Sequence, residues 1–340
     1  MTDRVKWLIV IGVSVVALAA TALVGLVAWQ QYQARQSTAS AAAIISADDW
    51  AVGARVVFRN TSPGEGYGRV ASVPLDDPAG ARAVTEVACD RVDATSDEFS
   101  CLRTERSIVP TYSATLYAND GVALQTWPLP GIPSRTRLSD DGTRIATTSF
   151  VTGHSYAAIG FSTATVINAD DGESFGNLEN WTFVVDGAQS ASADRNFWGV
   201  TFIDDGSFYA TAGLTTTGGT YLVKGDIASL TLSTVAEDVE CPSLSPDGSR
   251  IAFKSKTGGT GPITHWTPAV MDLGTAEIVV LPESRNVDDQ IEWLDDDTIL
   301  YGMPRAGQEG DYDVWMLAAD GTAQPEIFME HAWSPSVVRP

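Results

Sequence analysis

The side chains that could act as nucleophiles or bases in this chain do not fall into a known catalytic spacing. Residues 153–157, Gly-His-Ser-Tyr-Ala, come close to a hydrolase nucleophile elbow but lack the final glycine of Gly-x-Ser-x-Gly. His154, His265 and His331 are the only histidines, and none has a partner residue at a recognisable spacing. The sequence therefore predicts no Ser-His catalytic site.

Carboxylates are the most abundant reactive groups. The 340 residues include 43 Asp and Glu against 21 Lys and Arg, which gives a net charge of −22. A surface this acidic repels nucleic acid and anionic lipid headgroups, so neither is an expected partner. Pairs of Asp would suit calcium, because this hard cation prefers oxygen ligands. Their regular place in turns favours a turn-forming role instead, so we expect no cofactor and keep calcium as the alternative.

The chain has three cysteines, two of which are close in sequence. Cys89 and Cys101 are 12 residues apart and flank a polar segment suited to a tight loop. We predict a disulfide between them, worth about 3 kcal/mol on the chain-entropy estimate, with two reduced thiols as the alternative. Cys241 lies in an apolar strand, where an inert buried thiol is expected. No Cys/His spacing indicates zinc.

Residues 7–29 form an uncharged apolar run with a Trp at each end. At about 1.5 Å per helical residue the run reaches roughly 34 Å, and a bilayer's hydrocarbon core is about 30 Å thick. Trp7 and Trp29 suit the two membrane interfaces. Because Arg4 and Lys6 precede the run, the positive-inside rule predicts a cytoplasmic N-terminus in the cell membrane. A cleaved signal peptide is the alternative.

The apolar run divides the chain into four predicted parts. They are a cytoplasmic tip (1–6), a transmembrane signal-anchor helix (7–29), a small-residue tether (30–49) and an extracytoplasmic domain (50–340). One face of the helix carries Ala17, Thr21 and Gly25 at a small-xxx-small spacing. This spacing would allow a dimer through the helix, although most such patterns simply face lipid.

Four segments of the domain repeat one pattern, in which an acidic turn joins two short apolar strands. They are residues 136–148, 200–211, 242–254 and 291–301. Asp-Gly supplies the positive φ that a tight hairpin needs, and alternating flanks are typical of half-buried strands. A third and a fourth strand follow each hairpin. Four antiparallel strands per repeat is the plan of a β-propeller blade.

The repeats predict an all-β fold, a six-bladed β-propeller with seven blades as the fallback, preceded by the transmembrane helix. An incomplete first blade starts near Arg55, and residues 330–337 align with the innermost strand of a later blade. The C-terminal segment would therefore close the ring and remove open sheet edges. A sandwich or jelly roll is the alternative, but neither explains turns repeated in one register.

The same alignment places a ring of residues at one mouth of the central channel. Ser134, Trp198, Glu240 and Asp289 share one offset before the inner strands, and Arg135 lies one step further in. We predict Arg135, Trp198, Glu240 and Asp289 as rim residues that bind a cation or a polar peptide. Solvated rim charges without a ligand are the alternative.

Leu244–Phe253, Leu-Ser-Pro-Asp-Gly-Ser-Arg-Ile-Ala-Phe, resembles the WD40-like repeat of TolB-type propellers. Residues 240–248 and 288–297 are similar to membrane-anchored TolB-like proteins of actinobacteria, and these proteins have no assigned activity. The resemblance covers residues 50–340 and implies a six-bladed exported propeller that binds other proteins. Soluble TolB has an extra N-terminal α/β domain, and here the anchor and tether take its place.

Two functions follow from these observations. We predict a non-catalytic, membrane-anchored propeller that serves as a protein-binding or scaffold module, with an envelope or exported protein as its partner. The alternative is a calcium-dependent propeller hydrolase or lactonase that uses channel-facing carboxylates. Hydrolases of the prolyl oligopeptidase type carry similar blades beside a separate catalytic domain. Since the sequence ends with the propeller, we expect no such domain.

Overall fold

The N-terminal helix is the first element of the structure, a computed structural model that describes residues 3–37, 40–47, 50, 53–151, 162–214, 219–260 and 263–339. Helix α1 runs over Asp3–Ser37. Its Asp3–Gln30 segment is long and apolar enough to cross a membrane, by length and composition. Trp7 and Trp29 are exposed on it, as side chains in contact with lipid would be. A signal sequence has the same properties.

Six sheets follow and form the blades of a six-bladed β-propeller, as the repeats predicted. Blade 1 contains β1 (Ile44–Ser46), β2 (Arg55–Asn60), β3 (Arg69–Pro74) and β4 (Arg82–Ala88). Blade 2 contains β5 (Arg91–Ala94), β6 (Glu98–Glu105), β7 (Thr111–Ala118) and β8 (Ala123–Pro128). Blade 3 contains β9 (Ile132–Leu138), β10 (Arg144–Val151), β11 (Ser162–Ala169) and β12 (Ser174–Asn177).

The remaining three blades include one with an added hairpin. Blade 4 contains β13 (Thr182–Val185), β14 (Ala188–Gln189), β15 (Arg195–Phe202), β16 (Ser207–Leu214), β17 (Gly219–Asp226) and β18 (Thr231–Glu237), after a 3-10 turn at Leu178–Asn180. Blade 5 contains β19 (Glu240–Leu244), β20 (Arg250–Gly258), β21 (His265–Asp272) and β22 (Ile278–Val280). Blade 6 contains β23 (Glu292–Trp293), β24 (Thr298–Pro304), β25 (Tyr312–Ala318) and β26 (Glu326–Met329), and β27 (Ala332–Val338) comes last.

The last strand closes the ring, which confirms the prediction from the C-terminal repeat. β27 pairs antiparallel with β2, from Arg55 opposite Val338 to Asn60 opposite Ala332. The first sheet therefore takes its innermost strand from the other end of the chain. A charged cluster reinforces the joint on the side of Asn60, where Arg82 donates to the Asn60 side chain and to the carbonyl of His331.

Two outer sheet edges are covered by extra strands. β1 pairs in parallel with β4, and β13 pairs in parallel with β18, so the outer strands of blades 1 and 4 have neighbours on both sides. Paired edges offer no template for aggregation. The β13–β14 hairpin lies between the first two repeated turns of the sequence.

Apolar layers between neighbouring blades form the core. The largest cluster lies at blades 3 and 4 and contains the fully buried Phe183, Phe197 and Phe208. Phe183 and Phe197 meet edge to face at a centroid distance of 5.4 Å. Each buried aromatic side chain contributes about 1.5–3 kcal/mol through the hydrophobic effect. These layers hold the inner strands β5, β9, β15, β19, β23 and β27 side by side around the channel.

The predicted disulfide between Cys89 and Cys101 is present, with a Cα–Cα distance of 5.4 Å. It joins β6 to the segment that leads into β5, so it fixes an inner strand at the start of blade 2. Cys241 is buried and unpaired, as expected. Whether its thiol is inert stays a prediction.

Candidate functional site

The inner strands carry most of the polar side chains that face the channel. We call the end of the channel where these strands begin the upper mouth, and the end where they finish the lower mouth. Hydrogen bonds divide the channel side chains into an upper layer around Asp289 and Glu240 and a lower layer around Arg137. Both layers are largely shielded from solvent.

Asp289 is the centre of the first part of the upper layer. Its carboxylate accepts hydrogen bonds from Arg91 Nη1 at 2.6 Å, Trp333 Nε1 at 3.0 Å and the backbone N–H of Gly302 at 3.1 Å. The Arg91 guanidinium lies over the Trp333 ring, 4.3 Å from its centroid. The Tyr312 ring also stacks on the Trp333 ring, with a centroid distance of 3.7 Å. Asp289 is 3% exposed. It therefore ties three blades together, with its carboxylate oxygens already occupied.

Glu240 is the centre of the second part of the upper layer. It starts β19, lies opposite Lys254 in the register of β20, and is 9% exposed. Lys254 Nζ is 2.5 Å from the Asp288 carboxylate. Burial raises the pKa of Glu240 to about 7; Asp288 raises it further, while Lys254, Lys256 and Arg135 lower it. This carboxyl therefore titrates near neutral pH.

Arg135 extends from β9 toward the same part of the channel. Its Nη1 donates to the carbonyl of Ser134 at 3.1 Å, and its Nε is buried without a hydrogen-bond acceptor. Burial alone would lower the pKa of Arg135, but the neighbouring Cys241 and Asp289 raise it. A charged guanidinium with a free N–H beside Glu240 can bind a carbonyl or carboxylate oxygen of a ligand.

A β-bulge places Cys241 beside Arg135. Cys241 has a φ of 50°, and the equivalent bulge residues Gly199 and Ser334 have φ values of 65° and 54°. All three lie at register shifts of inner strands. A Cβ on Gly199 would come within 2.7 Å of Cys241 Cα, so only glycine fits where these strands approach each other. The bulge is thus a repeated feature of the blades that re-aims side chains into the channel.

Of the four predicted rim residues, Glu240 begins β19 and Asp289 precedes β23, whereas Arg135 and Trp198 lie within β9 and β15. They differ in their surroundings. Trp198 is 4% exposed, Asp289 is held by three donors, and Glu240 and Arg135 lie close together near Lys254. The carboxylates are shielded rather than solvated. Binding of a ligand by these four residues stays a prediction.

Arg137 forms the lower layer, which the sequence did not reveal. Its guanidinium contacts Asp93 at 3.1 Å and Glu292 at 2.5 Å, and donates to the carbonyl of Ile291 at 2.6 Å. Glu292 in turn accepts from the backbone N–H of Val337. Burial raises the pKa of Asp93, Glu292 adds to this, and Arg137 opposes it. Because β9 and Glu292 belong to opposite blades of the ring, this network crosses the channel.

The arrangement does not favour a calcium site. Among the described residues no group of three or more His, Cys, Asp or Glu side chains could hold a metal ion. The channel carboxylates Asp93, Asp289 and Glu292 each pair with an arginine. Residues 153–157, with His154, lie outside the described residues, so the predicted absence of a nucleophile elbow there stays a prediction.

His331 belongs to an ion cluster at the joint of blades 6 and 1. Its Nδ1 is 2.8 Å from the Asp311 carboxylate, and Arg305 lies between its ring and Asp313. Burial lowers the pKa of Arg82 to about 10, although Asp311 raises it. The cluster holds β27 against blade 1, where Arg82 donates to Asn60 and to the carbonyl of His331. Its role is to stabilise closure.

No protein-family model matches the sequence, and no curated protein matches it. Solved structures share its fold. A puromycin-hydrolyzing peptidase of Mycobacterium tuberculosis is 14% identical with a TM-score of 0.49, over 83% of this chain and 44% of that chain. The propeller domain of the Trilobed protease from Pyrococcus furiosus is 12% identical with a TM-score of 0.40, over 71% and 70%. Oligogalacturonate lyase from Vibrio parahaemolyticus is 10% identical with a TM-score of 0.46, over 81% and 75%.

These comparisons correct our prediction of a non-catalytic scaffold. The three structures named above are enzymes or a domain of one, so that prediction is wrong, and the alternative of a propeller hydrolase is the better supported of the two. The chain spans less than half the length of the first peptidase. At these identities the likeness shows the fold alone. The chemistry proposed below therefore rests on the channel itself.

Proposed function

We propose that the chain is a hydrolase of small polar esters or lactones, with its active site in the upper layer of the channel. The observation that carries the proposal is Glu240, a buried carboxyl with a pKa of about 7 beside Lys254 and Arg135. A pKa near the working pH is what a general acid–base needs, and such catalysis contributes about 10²–10⁴-fold to a rate. Strongly shifted groups next to specific charges are candidates for catalysis.

In the proposed reaction, Glu240 activates water. The ionised carboxylate takes a proton from a water molecule, and the oxygen of that water bonds to the carbonyl carbon of the substrate. The bond from that carbon to the leaving oxygen then breaks, and the protonated Glu240 returns the proton to the leaving oxygen. The products are a carboxylic acid and an alcohol, or a hydroxy acid from a lactone.

Lys254 and Arg135 would stabilise the charge that develops on the carbonyl oxygen. Both are cationic, since their neighbours Cys241 and Asp288 keep the pKa of each raised despite the opposing effect of burial. Fixed donors that point at a developing oxyanion are usually the largest single contribution to such a reaction. The buried Arg135 Nε–H has no acceptor among the described residues, so a bond to the substrate oxygen would satisfy it. No step of the proposal involves calcium.

The test is hydrolysis of a panel of p-nitrophenyl esters and aliphatic lactones by the purified full chain in detergent. We expect Glu240→Gln to lower kcat at least about 100-fold, because a general base is worth that much. Glu237→Gln is the matched control, since Glu237 is exposed at the end of β18. The wild type should lose activity as the pH falls below about 7.

Two results would overturn the proposed function. One is an absence of turnover across the panel at any pH. The other is an equal loss of activity in the Glu240 and Glu237 variants. Addition of EDTA separates a contaminating metal-dependent esterase, which would lose activity, from the proposed site.

We also propose that α1 anchors the propeller on the outer side of a membrane. The helix is apolar enough to span, Arg4 and Lys6 lie at its start, and the disulfide is of the kind that persists in oxidising compartments. The TolB-like identity, the bacterial source, an envelope partner and a dimer through the helix all remain predictions.

A further inference from the structure

The lower mouth of the channel opens into a cavity of about 710 Å³. Its walls are the ends of the inner strands and the turns that follow them, and its floor is the Arg137 layer. The side chains that matter below are Asp140, Tyr209, Ser243, Asp247, Trp293 and Arg339. Because the Arg137 network crosses the channel, this cavity is separate from the upper layer that holds Glu240.

The charges that line this lower cavity are unbalanced. Its carboxylates are Asp93, Asp140, Asp247 and Glu292, and its cationic groups are Arg137 and Arg339. Arg137 pairs with Asp93 and Glu292, and Arg339 donates to the carbonyl of Trp293. Four negative and two positive groups leave a net charge of −2. Asp140 and Asp247 have no cation among the residues that line the cavity, although Asp247 accepts hydrogen bonds from Ser245 and Ser249 and has Arg250 near it.

The surface around the lower cavity is more acidic still. In each of blades 2 to 6, a backbone hydrogen bond joins the outer turn to the turn after the inner strand, as between Asp170 and Thr143 or Ala319 and Asp297. Both sets of acidic turns therefore lie on one face. Their aspartates include Asp97, Asp120, Asp141, Asp171, Asp204, Asp205, Asp226, Asp272, Asp295, Asp296 and Asp320.

The raised pKa of Glu98 indicates a negative electrostatic potential at this face. It lies at the start of β6, and its carboxylate is close enough to Gly142 that a Cβ there would come within 2.3 Å of it. Burial raises the pKa of Glu98 to about 7, and Asp170, Asp97 and Asp141 raise it further. The blades thus bring like charges together around the lower cavity.

We propose that the lower cavity binds a linear polyamine. Its volume exceeds that of a single ion, and among the described residues no cluster suits a metal. Ammonium groups would be accepted by the carboxylates of Asp140 and Asp247, while the methylene chain would lie on Tyr209. The surrounding field would raise the local concentration of a polycation and speed its association.

Titration calorimetry of the full chain in detergent with spermidine tests the proposal. We expect saturable binding with one site per chain, weakened about tenfold or more by Asp140→Asn with Asp247→Asn. The Asp140 side chain makes no hydrogen bond to the part of the protein that the structure describes, and Asn preserves the acceptor oxygen that Asp247 offers to the backbone N–H of Ser249. Asp140→Asn alone should also weaken spermidine binding. This single variant replaces the double variant in the test if the double variant does not fold.

Asp272→Asn with Asp320→Asn is the matched control, because it removes the same charge from two outer turns of the same face. An unchanged affinity in this control supports the cavity. Equal weakening by both double variants would mean diffuse counterion binding, and would overturn the proposal. So would equally tight binding of magnesium, the absence of binding, or binding of a lysine-rich peptide but not of spermidine.

Discussion

Glu240 differs from the other buried carboxylates of the channel in the balance between burial and hydrogen bonding. Asp289 accepts three hydrogen bonds from fixed donors, and Asp93 accepts from Arg137 and from the backbone N–H of Leu138. For Glu240 burial outweighs the attraction of Lys254, and the pKa rises to about 7. Burial raises the pKa of Asp93 as well, and the value of about 7 for Glu240 allows this carboxyl to exchange a proton near neutral pH.

This raised pKa predicts how stability depends on pH. The carboxyl has a pKa of 4.5 before folding and about 7 after it. Between these values the folded state binds more protons, so stability falls as the pH rises through this window. The shift corresponds to at most about 3 kcal/mol. Glu240→Gln removes the effect, so we expect the variant to gain on the wild type by about 2–3 kcal/mol between pH 4.5 and pH 8.

Urea unfolding of the full chain in detergent, at several pH values, measures this difference. Glu98 also titrates near pH 7 but is present in both proteins, so its contribution cancels. Glu237→Gln should show no such gain. A difference between Glu240→Gln and wild type that stays constant with pH would contradict the raised pKa.

At the level of strands, the meeting of β24 and β27 decides whether the ring closes tightly. Gly302 of β24 donates its backbone N–H to Asp289, and Trp333 of β27 donates to the same carboxylate. A Cβ on Gly302 would come within 2.6 Å of both the Asp289 carboxylate and the Trp333 ring. The closing strand therefore fits only because glycine leaves this space open.

We accordingly expect Gly302→Ala to destabilise the protein by about 1–3 kcal/mol, the usual cost of overpacking. Gly206→Ala is the control, because a Cβ there meets only Asp204 at an ordinary distance of 3.6 Å. Thermal unfolding followed by circular dichroism compares the two variants. Equal melting temperatures would show that β27 tolerates a shift at this position.

The whole molecule is asymmetric along the channel. The upper mouth holds Glu240, Lys254 and Arg135, whereas the acidic turns of the blades gather around the lower mouth. The two ends of the ring thus present different chemistry, and the Arg137 network keeps them apart.

Membrane topology is a property of the whole chain and is open to a direct test. We expect Ala188→Cys, on the exposed hairpin of blade 4, to react with a membrane-impermeant maleimide in intact cells. Asp3→Cys, at the start of α1, should react only after lysis. The wild type is the control, because its one free thiol, on Cys241, is buried. The opposite labelling pattern would reverse the proposed orientation.

Local signals were enough to predict the blades, the closing strand and the disulfide. Acidic turns between alternating strands recur in four segments, and the last strand carries the same pattern. Cys89 and Cys101 are only 12 residues apart, so a short polar loop between them is enough to bring the two thiols together. The prediction of Arg135, Trp198, Glu240 and Asp289 as a ligand-binding rim stays a prediction.

The sequence alone thus determined the architecture, because strands, turns and an apolar helix depend on residues close to each other in the chain. Only the tertiary structure decided which of the charged side chains in the channel form ion pairs. Arg137 meets Asp93 and Glu292 across sequence separations of 44 and 155 residues, and it does so only because their blades surround one channel. The burial that raises the pKa of Glu240 arises in the same way. Protonation depends on what the closed ring excludes, and solvent exclusion is not encoded in any single repeat.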